Sequence, residues 1–136
     1  LGVQNPYSKM TDKFFIQSGA ILGVLSVMLG AFGAHAFKAM FEASGRADTF
    51  ETAVKYQFYH ALALVLIGVL LQNTSVQAAK WYNWSGYSLL AGTIIFSGAL
   101  YIICFTGIKA FGAIAPIGGT LMIVGWALMF WGASKS

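Results

Sequence analysis

The fold class this sequence predicts is an all-α membrane protein, a four-helix transmembrane bundle, and three observations predict it. Hydrophobic residues make up 58% of the chain against 9% charged, far from the balance of a soluble domain. The apolar residues gather into four stretches, each near the roughly 20 residues that a helix needs to cross about 30 Å of hydrocarbon. Trp81, Tyr82, Trp84 and Tyr87 crowd the entry to the third stretch, an aromatic belt of the kind that sits at headgroup level. Four such spans use up nearly all of the 136 residues, so a single domain over residues 10–136 is expected, almost all of it in the membrane.

Residues 1–9 include Asn5-Pro6-Tyr7-Ser8, whereas Met10-Thr11-Asp12-Lys13 reads like a natural start. The first nine residues are read as an appended remnant or an upstream extension and are set aside from the fold. Helix 1 is expected over about 14–37. It is too long for the apolar core of a signal peptide and has no clean small-residue cleavage site beyond it, so it should stay as a span. At 100° per residue, Gly19, Gly23, Ser26, Gly30 and Gly33 fall on one narrow face. Such a stripe lets another helix backbone approach closely, which is how helices associate where lipid removes the hydrophobic drive between them. It is read as a packing seam.

After helix 1, Lys38-Ala39-Met40-Phe41-Glu42-Ala43 suits a short interfacial helix that Gly45 stops. Asp48-Thr49-Phe50-Glu51 has capping-box spacing, with Asp48 as N-cap and Glu51 at N3, so helix 2 is expected over about 49–72. The aromatic belt leads into helix 3, about 84–106. Helix 4 covers about 112–133, with Pro116 in its first turns, where a missing N–H costs least, and Gly118, Gly119 and Gly125 allowing close contact. Trp126 and Trp131 are assigned to the same membrane face as the belt.

The net charge of +4 is spread singly between the apolar runs, as interfacial anchors rather than a nucleic-acid patch. Lysines and arginine divide four against four between the two membrane faces; setting Lys9 aside tips the count toward a cytoplasmic position for the first and third loops. Cys104 is the only cysteine, so neither an internal disulfide nor a cysteine metal cluster is available.

Ionisable groups inside lipid are costly, which makes His60 and its neighbours the first place to look for function. With a span starting near Thr52, His60 lies roughly 10 Å or somewhat more below the interface, and His35, closing helix 1, sits on the same side, within reach. On a helical wheel Glu51, Lys55, Phe58 and Leu62 share one face, and Tyr56, His60, Ala63 and Ile67 nearly the opposite one. Glu51 is therefore read as a capping carboxylate that pairs with Lys55, and Lys55 as a snorkelling lysine. His60 is read as a neutral imidazole bonded across the bundle to Tyr101 or Ser97, with ligand, proton or metal roles as the alternative. His35 is read as a solvated or capping histidine, and Tyr56 and Tyr59 as interface anchors or donors into a polar pocket. His35, Tyr56, Tyr59 and His60 form the candidate polar cluster.

Several stretches resemble one family: Gly30-Ala31-Phe32-Gly33-Ala34-His35-Ala36, residues Glu51 through Ala63, Phe96-Ser97-Gly98-Ala99-Leu100-Tyr101, and Ala115-Pro116-Ile117-Gly118-Gly119 with Gly125-Trp126. With them the chain resembles the domain of unknown function 423 family, the YgdD-like small bacterial inner-membrane proteins that have eukaryotic relatives. The resemblance spans nearly the whole chain from Phe14 onward. It implies a four-helix inner-membrane protein and supplies no activity.

No catalytic motif is present: there is no Gly-x-Ser-x-Gly, His-Glu-x-x-His, aspartate pair or phosphate-cradling glycine loop. Two histidines without carboxylate or thiolate neighbours make an incomplete zinc site, and nothing besides the histidines marks a porphyrin pocket. No enzyme activity, cofactor or metal is expected. The expected role is a non-enzymatic structural or accessory bundle contacting membrane lipids and packing against itself or a larger membrane partner. The second reading is small-solute, lipid or proton handling through the polar cluster.

Overall fold

The computed structural model describes residues 6–136, with side chains from Thr11 onward. The chain forms α1 (Pro6–Ala34), α2 (Lys38–Ser44), α3 (Ala47–Gln72), α4 (Val76–Thr106) and, after a 3₁₀ turn over Lys109–Ala113, α5 (Ala115–Ser134). Spans over Thr11–Ala34, Ala47–Gln72, Val76–Thr106 and Lys109–Ser134 are long and apolar enough to cross a membrane. The protein is an all-α, four-span membrane bundle. Of the segment 1–9 set aside in the sequence, residues 1–5 lie outside the described residues, while α1 already runs from Pro6.

Several boundaries differ from expectation for local reasons. α1 stops at Ala34, not Phe37, because the chain turns there, the N–H of Phe37 reaching back to the Phe32 carbonyl at 2.9 Å. α4 begins at Val76, eight residues before Trp84, because Ser75 caps it: its Oγ accepts the Ala78 N–H at 3.1 Å. The aromatic belt thus lies within a helix. The expected capping box is absent. Gly45 ends α2 in the left-handed conformation (φ 71°), and Arg46, with no side-chain cap, already accepts the Phe50 N–H at 3.0 Å. α3 therefore starts at Ala47, which places Asp48 in its first turn and leaves Glu51 beyond N3.

Neighbours in sequence are neighbours in space. α1 packs along α3 and α5 along α4, and a thinner seam joins α3 to α4. One cluster, Phe15, Leu64, Ile67, Leu71, Tyr82 and Leu89, fills the end near the α3–α4 turn. A second, Phe41, Phe50 and Cys104, fills the opposite end, where Phe41 stacks on Phe50 with ring centroids 4.5 Å apart. Tyr82 belongs to the first core, against Gly132, and not to a lipid-facing belt.

The glycine stripe of α1 is uneven. A Cβ on Gly19 would lie 2.6 Å from the Ala61 carbonyl oxygen, one on Gly33 would enter the Phe50 ring, and Ser26 is buried. Gly30 has only ordinary contact, with Val54 at 3.5 Å, and a Cβ on Gly23 meets nothing within 4 Å. Within this chain Gly23 therefore meets no other helix, which leaves the expected contact of that position to a neighbouring copy. Gly19→Leu should cost about 1–3 kcal/mol through overpacking, while Gly23→Leu should stay within about 0.5 kcal/mol. Thermal unfolding of the two variants in mild detergent checks the contrast, and equal melting of both would refute it.

Candidate functional site

The buried face of α3 carries Ala53, Gln57, His60, Ala61, Leu64 and Ile67, at helical spacings of three and four. Glu51, Lys55, Phe58 and Leu62 occupy the outward face, where Lys55 Nζ meets Glu51 Oε1 at 2.8 Å, an i,i+4 pair with both side chains more than half exposed. Exposure of that kind leaves the pair little energetic weight.

His60 lies thirteen residues along the 26-residue α3, about 20 Å from its first residue and close to its midpoint. Its partner is neither Tyr101 nor Ser97. The indole Nε1–H of Trp126 on α5 donates to Nε2 of His60 at 3.0 Å, while Nδ1 lies 2.7 Å from the Tyr56 carbonyl one turn back. Indole nitrogen only donates and carbonyl oxygen only accepts, so Nε2 must bear the lone pair and Nδ1 the proton. The imidazole is the neutral Nδ1–H tautomer, with both nitrogens committed. Trp126 is corrected accordingly: it is an intramembrane hydrogen-bond donor, five residues deeper than Trp131. Trp131 packs edge-on to Trp81 under the Lys135 ammonium and fits the belt.

Of the other cluster residues, Tyr56 lies with its ring 6.2 Å from that of His60 and 5.0 Å from Phe96, and Tyr59 is 6.2 Å from Tyr56. Both tyrosines are exposed on the outer surface, and Tyr59 lines a hollow between α1 and α3. His35 stands apart, exposed in the turn after α1. The expected meeting of His35 and His60 does not occur, since one sits beyond a helix end and the other at mid-span.

A second polar centre, one turn from His60, escaped the sequence reading. Buried Gln57 donates through Nε2 to the Leu22 carbonyl of α1 at 2.9 Å and accepts at Oε1 the Tyr101 hydroxyl of α4 at 2.6 Å. Ser26 donates to the same Leu22 carbonyl at 2.7 Å, and Ser97 of α4 to the Ala53 carbonyl of α3 at 2.8 Å. One amide therefore ties three spans together. The signal was available: Gln57 precedes His60 by three residues, on the same face, and an amide in lipid needs partners as much as an imidazole does. Between α4 and α5, Ser85 and Ser88 donate to the carbonyls of Gly125 and Leu121, each at 2.6 Å.

At the opposite end of α3, Arg46 Nη1 donates to the Cys104 carbonyl at 3.3 Å, placing a cation at the C-terminal turn of α4, where the helix dipole favours it. Cys104 is buried there, its thiol directed at the Arg46 carbonyl at 3.8 Å. Among the described residues no group of three His, Cys, Asp or Glu side chains is arranged to hold a metal ion.

These elements define a class: a small polytopic membrane protein whose spans are joined by intramembrane hydrogen bonds from amide, imidazole and hydroxyl groups. The chain belongs to the family described as "Protein of unknown function (DUF423)", which matches residues 29–119. It is 44% identical over 117 residues to a UPF0382 membrane protein of Staphylococcus aureus, covering 86% of this chain and 92% of the relative. It is 36% identical over 126 residues to the UPF0382 inner membrane protein YgdD of Escherichia coli K12, covering 93% of each. No solved structure matches. Both relatives are membrane proteins, and the chain is an integral membrane protein.

Proposed function

We propose that the protein is a non-enzymatic structural or accessory bundle, whose buried polar groups hold its spans in register while its outer surface meets lipid, a second copy or a larger membrane partner. One observation carries the reading: both nitrogens of His60, the ionisable group placed deepest in α3, are occupied by partners in the same chain. A proton- or solute-handling histidine needs a free nitrogen or an open path to water, and His60 is 5% exposed.

Reconstitution tests it. Proteoliposomes carrying the protein should pass protons and small polar solutes no faster than protein-free vesicles. In detergent, His60→Leu should lose about 1 kcal/mol more than His60→Gln, which can still accept from Trp126. A flux abolished by His60→Gln, or equal stability of the two variants, would overturn the reading.

A further inference from the structure

A crevice opens where α1, α2 and α3 converge. Its volume is about 420 Å³, within the roughly 300–1,000 Å³ of small-molecule sites, and Gly30 and Val54 are among its lining residues. Its rim carries Lys38 and Glu42 of α2 and the Glu51–Lys55 pair of α3. A second hollow of about 280 Å³, between α1 and α3, shares Val54 and Lys55 with the first and continues past Val27 and Phe58. Together they run from a charged mouth at the α1–α3 connection to an apolar track along the outside of the spans.

The charges at the mouth are unequally used. Glu51 and Lys55 face each other at 2.8 Å, whereas no salt bridge among the described residues engages Lys38 or Glu42, although one turn of helix separates them. The mouth thus offers one free ammonium and one free carboxylate above an apolar channel. The complementary ligand is an amphiphile with one phosphate, one primary ammonium and an acyl chain. We propose that this crevice binds an aminophospholipid of the surrounding bilayer, its phosphate on Lys38, its ammonium on Glu42 and a chain along Val54 and Val27. A headgroup with phosphate alone would leave Glu42 facing an anion. A choline headgroup has no N–H to give that carboxylate.

This inference does not rest on the structural reading above; a flux would overturn that one, and indifference to headgroup this one. The test is native mass spectrometry of the full chain released from detergent after exposure to equimolar phosphatidylethanolamine, phosphatidylcholine and phosphatidylglycerol with identical chains. Wild type should retain phosphatidylethanolamine in several-fold excess over either competitor. The double variant Lys38→Gln/Glu42→Gln should lose that preference, while Lys109→Gln, which removes a lysine outside the crevice, should keep it. Gly30→Leu should lower retention of all three lipids, because its side chain would occupy the crevice that Gly30 lines. Equal retention of the three lipids by wild type, or a preference that survives the double variant, would overturn the proposal.

Discussion

Gly118→Leu is expected to prevent assembly of the bundle, with loss of most monodisperse protein and a cost of about 3 kcal/mol or more. Overpacking usually costs 1–3 kcal/mol because a neighbouring side chain can shift, but here there is none to move. A Cβ on Gly118 would collide with the backbone nitrogen of Phe96 and lie 2.7 Å from the carbonyl oxygen of Gly92, so α4 and α5 would have to separate. Even Gly118→Ala should be harmful. Gly119→Ala is the control, because one residue further on the nearest atom, Phe96 Cδ2, is 3.9 Å away. Yield and thermal unfolding in detergent read the difference directly, and equal melting of Gly118→Ala and Gly119→Ala would show that the crossing is looser than described.

Gln57→Leu is expected to destabilise the protein by about 1–3 kcal/mol. It removes two interhelical bonds, each worth on average about 0.6 and at most about 1.7 kcal/mol in membranes, and strands the half-buried Tyr101 hydroxyl. The Leu22 carbonyl keeps its bond from Ser26, so the damage concentrates on the α3–α4 side. Tyr101→Phe in the same chain should therefore recover part of the loss, because a missing hydroxyl needs no partner. A double-mutant cycle from reversible unfolding measures this coupling, and additive single losses would mean that Gln57 and Tyr101 do not act together.

The spans and the fold class were legible because lipid imposes length and composition on any crossing helix, and Phe14 onward satisfies both. Gly45 as a stop was legible for the same kind of reason, since only a left-handed turn lets α2 end there. What failed depended on long-range geometry. The Asp48–Glu51 spacing had the right pattern, but Arg46, held against the end of α4, sets the true start of α3. His60 was recognised as special, yet its partner required knowing that α5 passes beside α3 at Trp126, which no local periodicity encodes. Gln57 carries no charge and so stands out less than His60 in the sequence, yet the cost in lipid falls on any unpaired polar group. Gly23 shared a wheel position with Gly19, but a wheel gives direction and not the distance to the next helix.

The pairing of α1 with α3 and of α4 with α5 bears on how the chain enters a bilayer. Each pair is a helical hairpin, closed by residues 35–46 with α2 among them in the first and by residues 107–114 in the second. The glycine contacts that seat each hairpin, Gly19 on Ala61 in one and Gly92 on Gly118 in the other, are internal to it. The first hairpin can be complete before the second is inserted. The bonds from Ser97 to Ala53 and from Tyr101 to Gln57 join the two halves. The polar groups buried at the seam between the halves give them a directional lock that apolar surfaces in lipid do not provide.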